Sequence, residues 1–169
     1  MPRLIVVNGP AGTGKSTLAR RFAEEHPLTL NLDVDRIRDL IGGWRERPGE
    51  AGLLARAVVL AGARAHLLAG HDVIVPQLLA RPEFLEQAAE LAGAVGAEFH
   101  EIVLMDSREN ALRRWAAREG VVTAEARADV AALYDRLLAL LGSRPGARVV
   151  PSHEGQIDRT YQAVLDQLG

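Results

Sequence analysis

The sequence predicts a three-layer α/β domain: a five-stranded parallel sheet with helices on both faces. Three observations carry this. Short β-branched apolar runs alternate with longer segments of helical periodicity, a glycine-rich stretch follows the first run, and 169 residues suit a single domain spanning 1–169. The strand runs are Leu4–Val7, Leu28–Leu32, Val73–Val75, Phe99–Leu104 and Arg148–Val150. A helix is expected over Thr17–Glu25 and a short one over Arg36–Ile41. Leu54, Val58, Ala61, Ala65 and Leu68 mark the apolar face of a third. Phe84, Ala88, Leu91 and Val95 mark the next. Val130, Leu133, Leu137 and Leu141 mark a later helix, and Ile157, Tyr161, Val164 and Leu168 the last. Strand–helix–strand alternation implies right-handed crossovers, and ligands then collect beyond the carboxyl ends of the strands.

The residues after the first strand are the most informative. Gly9-Pro10-Ala11-Gly12-Thr13-Gly14-Lys15-Ser16 fits G-x-x-x-x-G-K-S/T at every fixed position, between a strand and a helix. Backbone N–H groups of Ala11 through Thr17 can wrap a phosphate chain, helped by the positive end of the helix. Lys15 is the only lysine of the chain. Its compact ammonium suits terminal phosphates better than a forked guanidinium. The Ser16 hydroxyl is a candidate Mg²⁺ ligand. The expectation is a P-loop NTPase fold that binds a nucleoside triphosphate.

The loop after the second strand carries Asp33 and Asp35. Phosphoryl transfer to an alcohol needs an acceptor for the hydroxyl proton near the γ-phosphate. Asp35 is the first candidate for that base, and it could equally serve as the N-cap of the 36–41 helix. Asp33 is the second candidate base, with substrate binding or water-mediated metal binding as its other roles. Arg114 and Arg118 fall at i, i+4 on one face of an arginine-rich helix and could clamp phosphate oxygens. Residues 119–128 follow as a short lid in which Arg127 is a further phosphate candidate. No acid follows the third strand until Glu83, so Ser16, water and Asp33 or Asp35 must support the metal. That disfavours a water-activating ATPase and favours a kinase. Gln77, Arg81 and Arg38 are expected at the acceptor. Trp44 lies in a Gly/Pro-rich loop, either as a plug on the core or as an aromatic wall for substrate.

The bulk numbers set limits. A net charge of −2 argues against a dedicated polynucleotide binder. Without cysteine there is no disulfide framework or thiolate metal site, and the histidines show no metal-ligand spacing. The first strand begins directly after Met1, leaving no room for a signal peptide, and no apolar run is expected to approach the ~20 residues of a membrane span. A cytoplasmic location is the expectation.

Gly14-Lys15-Ser16-Thr17 followed about twenty residues later by Asp33-Val34-Asp35-Arg36-Ile37-Arg38 resembles the small P-loop kinases of metabolites and antibiotics. These include chloramphenicol phosphotransferase, gluconate kinase, shikimate kinase, zeta-type toxin kinases and the kinase domain of polynucleotide kinase. The resemblance implies an adenylate-kinase-like fold with a short helical lid. It also implies ATP and Mg²⁺ as cofactors and a small hydroxyl-bearing substrate. In phosphotransferase-like and toxin-like members an aspartate at the position of Asp35 is the general base. An Arg-x-x-x-Arg pair like Arg114 and Arg118 ends the helix before the lid, with one arginine near adenine and another on the phosphates. The loop holding His153 is where such kinases hold the base of ATP. Two rivals stand beside this reading. One is a kinase of nucleotides or nucleic-acid 5′ ends, which Arg36, Arg38 and Arg81 keep open. The other is a nucleotide-dependent ATPase or switch acting on a protein partner.

Overall fold

The computed structural model describes all residues, 1–169. Its strands are β1 (Arg3–Asn8), β2 (Leu30–Asn31), β3 (Val73–Pro76), β4 (Glu98–Met105) and β5 (Arg148–Pro151). Its helices are α1 (Lys15–Glu25), α2 (Val34–Asp39), α3 (Pro48–Leu68), α4 (Glu83–Val95), α5 (Arg108–Glu119), α6 (Ala124–Leu141) and α7 (Ile157–Leu168). All strand pairs are parallel and the sheet order is β2-β3-β1-β4-β5. This is the expected P-loop α/β architecture. β1 lies at the centre, and the chain builds outward from it on both sides, so its carboxyl end faces the crevice where such sheets bind ligands.

The period-2 alternation of β1 separates two cores. Leu4 and Val6 join Val73 and Val75 against Ala55, Val59, Leu85 and Ala88 of α3 and α4. Ile5 and Val7 join Ile74, Ile102 and Leu104 against Leu18 and Phe22 of α1 and Tyr161 and Val164 of α7. Both faces are therefore covered, which is why β1 and β3 read as unbroken apolar runs.

Four expectations need correction. β2 is two residues long rather than Leu28–Leu32, because Leu28 sits at φ 66° and the Thr29 N–H donates to the His26 carbonyl, so the chain is still turning out of α1. α2 starts at Val34 rather than Arg36. The helix α3 exists, but its buried stripe is Ala51, Ala55, Val59, Ala63 and Leu67. Leu54, Val58 and Leu68, taken from the pattern as the inner face, are more than half exposed. The small side chains let α3 approach the sheet closely, and the larger apolar ones are left outside. By length and composition α3 is also the one helix long and apolar enough to cross a membrane, contrary to the expectation that no run comes near; its alanine stripe lies under the sheet.

The orientation of α3 can be tested by unfolding in denaturant. Ala55→Leu forces extra volume between α3 and the sheet and should cost about 1–3 kcal/mol. Leu54→Gln, on the outer face, should change stability by less than about 0.5 kcal/mol. The reverse ranking would return α3 to the face read from the sequence.

Candidate functional site

The Gly9–Ser16 loop leaves β1 under tight steric control. Gly9 has φ 145°, and a Cβ there would lie 2.3 Å from the Leu104 carbonyl oxygen of β4. A Cβ on Gly12 would lie 3.1 Å from the Trp115 nitrogen of α5. A Cβ is thus excluded at Gly9 and crowded at Gly12, where φ 81° also favours glycine. Gly14 enters α1 in the left-handed region, no side chain caps the helix, and no acid lies in its first turn. The free amides and the positive helix end therefore remain available to an anion.

Lys15 bends across this loop and donates to the Pro10 carbonyl at 2.7 Å, alongside the Thr13 hydroxyl, which donates to the same oxygen at 2.8 Å. Its pKa is pushed down to about 8, first by burial and then by the charge of Arg118. Asp35 and Asp33 act in the opposite direction, and Arg114 adds a smaller depression. Four of the charged side chains singled out in the sequence thus act on one ammonium.

Across from the loop, Asp33 rather than Asp35 is the N-cap of α2: its Oδ1 accepts from the Asp35 N–H at 3.1 Å. Its Oδ2 accepts from the Ser16 hydroxyl at 3.1 Å. Asp35 lies in the first turn of α2, 61% exposed, with Arg38 at 3.5 Å. The two acids therefore differ in what they face, since Asp33 closes on Ser16 while Asp35 stays open to solvent. A hydroxyl and a carboxylate in contact form a hard-oxygen pair that fits Mg²⁺, which keeps several waters and takes phosphate oxygens as further ligands. No group of three or more His, Cys, Asp or Glu side chains able to hold a metal forms in the chain. Ser16, Thr17 and Asp33 line a polar cavity of about 200 Å³ together with Arg20, Asn31 and Arg36.

The arginine helix behaves differently from its sequence reading. Arg114 and Asp106 are each only 12% exposed and form an ion pair at 3.1 Å. Arg114 also donates to the Ser152 hydroxyl at 3.1 Å, and that hydroxyl donates to the Thr13 carbonyl at 2.9 Å. Burial would raise the Asp106 carboxyl, but hydrogen bonds from Asn110, the Ser107 N–H and Arg114 hold it below the usual carboxylate range. Arg114 is thus a tie between α5, the loop after β5 and the Gly9–Ser16 loop. Arg118 is the open one, 61% exposed with only Glu119 at 3.7 Å. Residues 119–128 form the end of α5, a turn around Gly120, and the first turns of α6, where Thr123 caps the helix and Arg127 is exposed. His153 is exposed, and its carbonyl accepts from the Gln156 N–H at 3.1 Å.

Just after β3, the Gln77 N–H donates to the Val7 carbonyl at 3.0 Å, while its Oε1 is buried without a partner, as is Asn31 Oδ1. Arg81 lines a separate cavity of about 530 Å³, without Gln77. Trp44 is half-buried, and Arg38 and Arg45 lie over its ring at 4.2 and 4.6 Å. Asn8, Asp106 and Ser152 had no role in the sequence reading. Fully buried Asn8 donates to the Leu79 carbonyl at 2.9 Å and accepts from the Leu79 and Gly9 N–H groups at 2.8 Å. It fastens the segment after β3 to the start of the loop. A polar residue closing an apolar strand just before the motif was the one signal for it.

The depressed pKa of Lys15 predicts proton uptake. The free ammonium is half deprotonated near pH 8, and polyphosphate favours the charged form, so binding a nucleoside triphosphate between about pH 8 and 10 should take up a proton. Calorimetry in buffers of different ionisation enthalpy reads this directly, and Lys15→Met should abolish it. Without ligand, the same depression makes stability rise as pH increases from about 8 towards 10.5, since the unfolded chain keeps the proton that the fold releases. Pure buffer-independence of the binding heat would contradict this electrostatic account.

Comparison with known proteins agrees with this fold. A gluconokinase from Sinorhizobium meliloti 1021 superposes with a TM-score of 0.64 at 20% identity, covering 99% of this chain and 93% of that one. The Deinococcus radiodurans tunicamycin resistance protein gives 0.69 at 20% identity over 100% and 96% of the two chains. A candidate kinase from Chloroflexus aurantiacus gives 0.73 at 20% identity over 99% and 96%. At these identities the likeness is one of fold. No curated protein matches the sequence. The profile of the AAA domain family matches residues 4–138, most of the chain and all of the site's first half, and the chain belongs to that family.

Proposed function

We propose that this protein is an ATP-dependent phosphotransferase that moves the γ-phosphate of ATP to a hydroxyl of a small-molecule acceptor. The observation that carries the reading is the convergence on Lys15: amide donors and a cationic helix end on one side, Asp33 and Asp35 on the other, and Arg118 at the rim. The family supports nucleotide use, and the gluconokinase of the same fold supports a hydroxyl acceptor. The amides of Ala11 to Thr17 and Lys15 bind the polyphosphate. Ser16, with Asp33 behind it, would hold Mg²⁺, which supplies charge neutralisation on the β- and γ-oxygens when bound. Arg118 is free to reach the transferring group. The acceptor oxygen forms its bond to the γ-phosphorus as the bridging oxygen departs with ADP, and the hydroxyl proton passes to the open carboxylate of Asp35. The turn around Gly120 would let the start of α6 close over the site and exclude water.

The test is a transfer screen over hydroxyl compounds with background hydrolysis subtracted. Asp35→Asn should leave ATP affinity unchanged and reduce transfer by ~10² or more. Asp33→Asn should instead raise the Mg²⁺ concentration needed for half-maximal rate. Full transfer by Asp35→Asn would move the base role to Asp33, and turnover that ignores every acceptor and follows a partner protein would replace the kinase reading with a switch.

A further inference from the structure

We propose that the outer face of α3 is a self-association surface, on which a second copy of this chain lies antiparallel through its own α3. The fold commits the alanine stripe of this helix to the sheet and leaves a different stripe to solvent. Leu54, Val58, Ala61, Ala65 and Leu68 recur at intervals of four, three, four and three residues. That is the repeat of a helix–helix seam. All five are exposed, and Leu54, Val58 and Leu68 are more than half so, as is Leu53 beside them. Apolar side chains scattered singly on a surface are ordinary, but a contiguous row along one 21-residue helix marks a contact surface.

The charges on this face say which partner fits. Among the exposed residues of α3 only Glu50 and Arg64 carry a charge. They are two heptads apart, about 21 Å along the helix axis. An antiparallel pair with its two-fold axis at Ala57 sets Glu50 of each copy against the partner's Arg64, so the ion pair forms twice. A parallel pair in register would instead set acid against acid and base against base. On the same axis Leu53 and Leu54 of one helix meet Ala61 and Val58 of the other, large against small, and Ala57 lets the backbones come close. Glu50 also holds Arg47 of its own chain at 2.7 Å, an exposed pair of little energy that leaves carboxylate lone pairs open. A lipid surface fits this face less well. An interfacial helix lines its apolar face with cations, whereas α3 places one acid and one base at opposite ends of the stripe.

The size of the face sets the strength of the pair. The overlapping stretch offers on the order of 500 Å² per copy, or about 1,000 Å² for the two together, at the lower bound of specific interfaces. The copies therefore join and part with concentration, with a dissociation constant on the order of 10 μM. In submicromolar solution the chain is a monomer, and unfolding measured there does not register this face.

The experiment is sedimentation of the full chain between about 0.5 and 200 μM. The mass should rise from 18.2 kDa towards twice that value. Arg64→Glu and, separately, Glu50→Arg should each raise the dissociation constant about tenfold, and the two exchanges combined in one chain should restore it. The melting temperature in dilute solution should stay at that of the unaltered chain, which separates a lost contact from a damaged fold. If a charge variant fails to fold, Ala57→Cys decides. The chain has no cysteine of its own, so a disulfide there can form only between copies. On the two-fold axis it should form about tenfold faster than in Ala65→Cys, whose thiols the antiparallel pair holds apart. A mass that stays at 18.2 kDa throughout would overturn the proposal. So would a dimer indifferent to both charge reversals, one that the combined exchange does not restore, or equal cross-linking at Ala57→Cys and Ala65→Cys. Vesicles of phosphatidylcholine and phosphatidylserine serve as the control: a chain that binds them yet stays monomeric in solution gives this face to lipid, and the proposal fails.

Discussion

The Gly9–Ser16 loop holds its shape between two neighbours, one too close for any side chain and the other tight against the chain. β4 presses on it at Gly9 through the Leu104 carbonyl, and α5 presses at Gly12 through the Trp115 nitrogen. Hydrogen bonds from buried polar groups fix what the glycines allow. Asn8 ties the loop's first residue to Leu79, and Ser152 ties Thr13 to the Arg114–Asp106 pair. These groups fix the frame of the loop while its amides stay open, so the anion site is organised before any ligand arrives. Preorganised donors do not have to reorient when charge develops, which is the main source of electrostatic catalysis.

That rigidity gives the surrounding charges separate duties. Arg114 and Asp106 neutralise one another inside the protein and act as structure. Arg118, four residues on, faces solvent and still depresses Lys15. The same division separates the acids. Capping α2 turns Asp33 towards Ser16, while Asp35 stands in the first helical turn with its carboxylate accessible. An ammonium near the midpoint of its titration, with acids on one side and a guanidinium on the other, is sensitive to any change in local charge. Arrival of a polyphosphate is the largest such change available to it.

The two cavities are built on different principles. The one beside the Gly9–Ser16 loop uses backbone and short side chains at the sheet edge; the neighbouring one uses helix faces and long arginines. Helix faces change without disturbing the sheet, which is why one fold accommodates many substrates. α3 shows the mechanism: its alanine stripe is committed to the sheet, and residues flanking that stripe, Arg56 among them, line the neighbouring cavity.

Much of this was legible in the chain itself. The phosphate-loop signature, the strand–helix alternation and the lone lysine depend on local spacing, and local spacing dictates a strand, a glycine turn and a helix end without knowledge of the rest. The acids after β2 were identifiable for the same reason. What the chain alone did not decide were matters of facing and pairing. An apolar pattern with large residues on one side and alanines on the other gave the wrong inner face for α3, because close approach to the sheet selects small side chains. Which aspartate caps α2, which arginine is consumed by Asp106, and that Asn8 and Ser152 lock the loop all depend on contacts between residues up to 139 positions apart. Neither periodicity nor motif encodes such distances; only the folded packing of β1 between β3 and β4 brings those groups together.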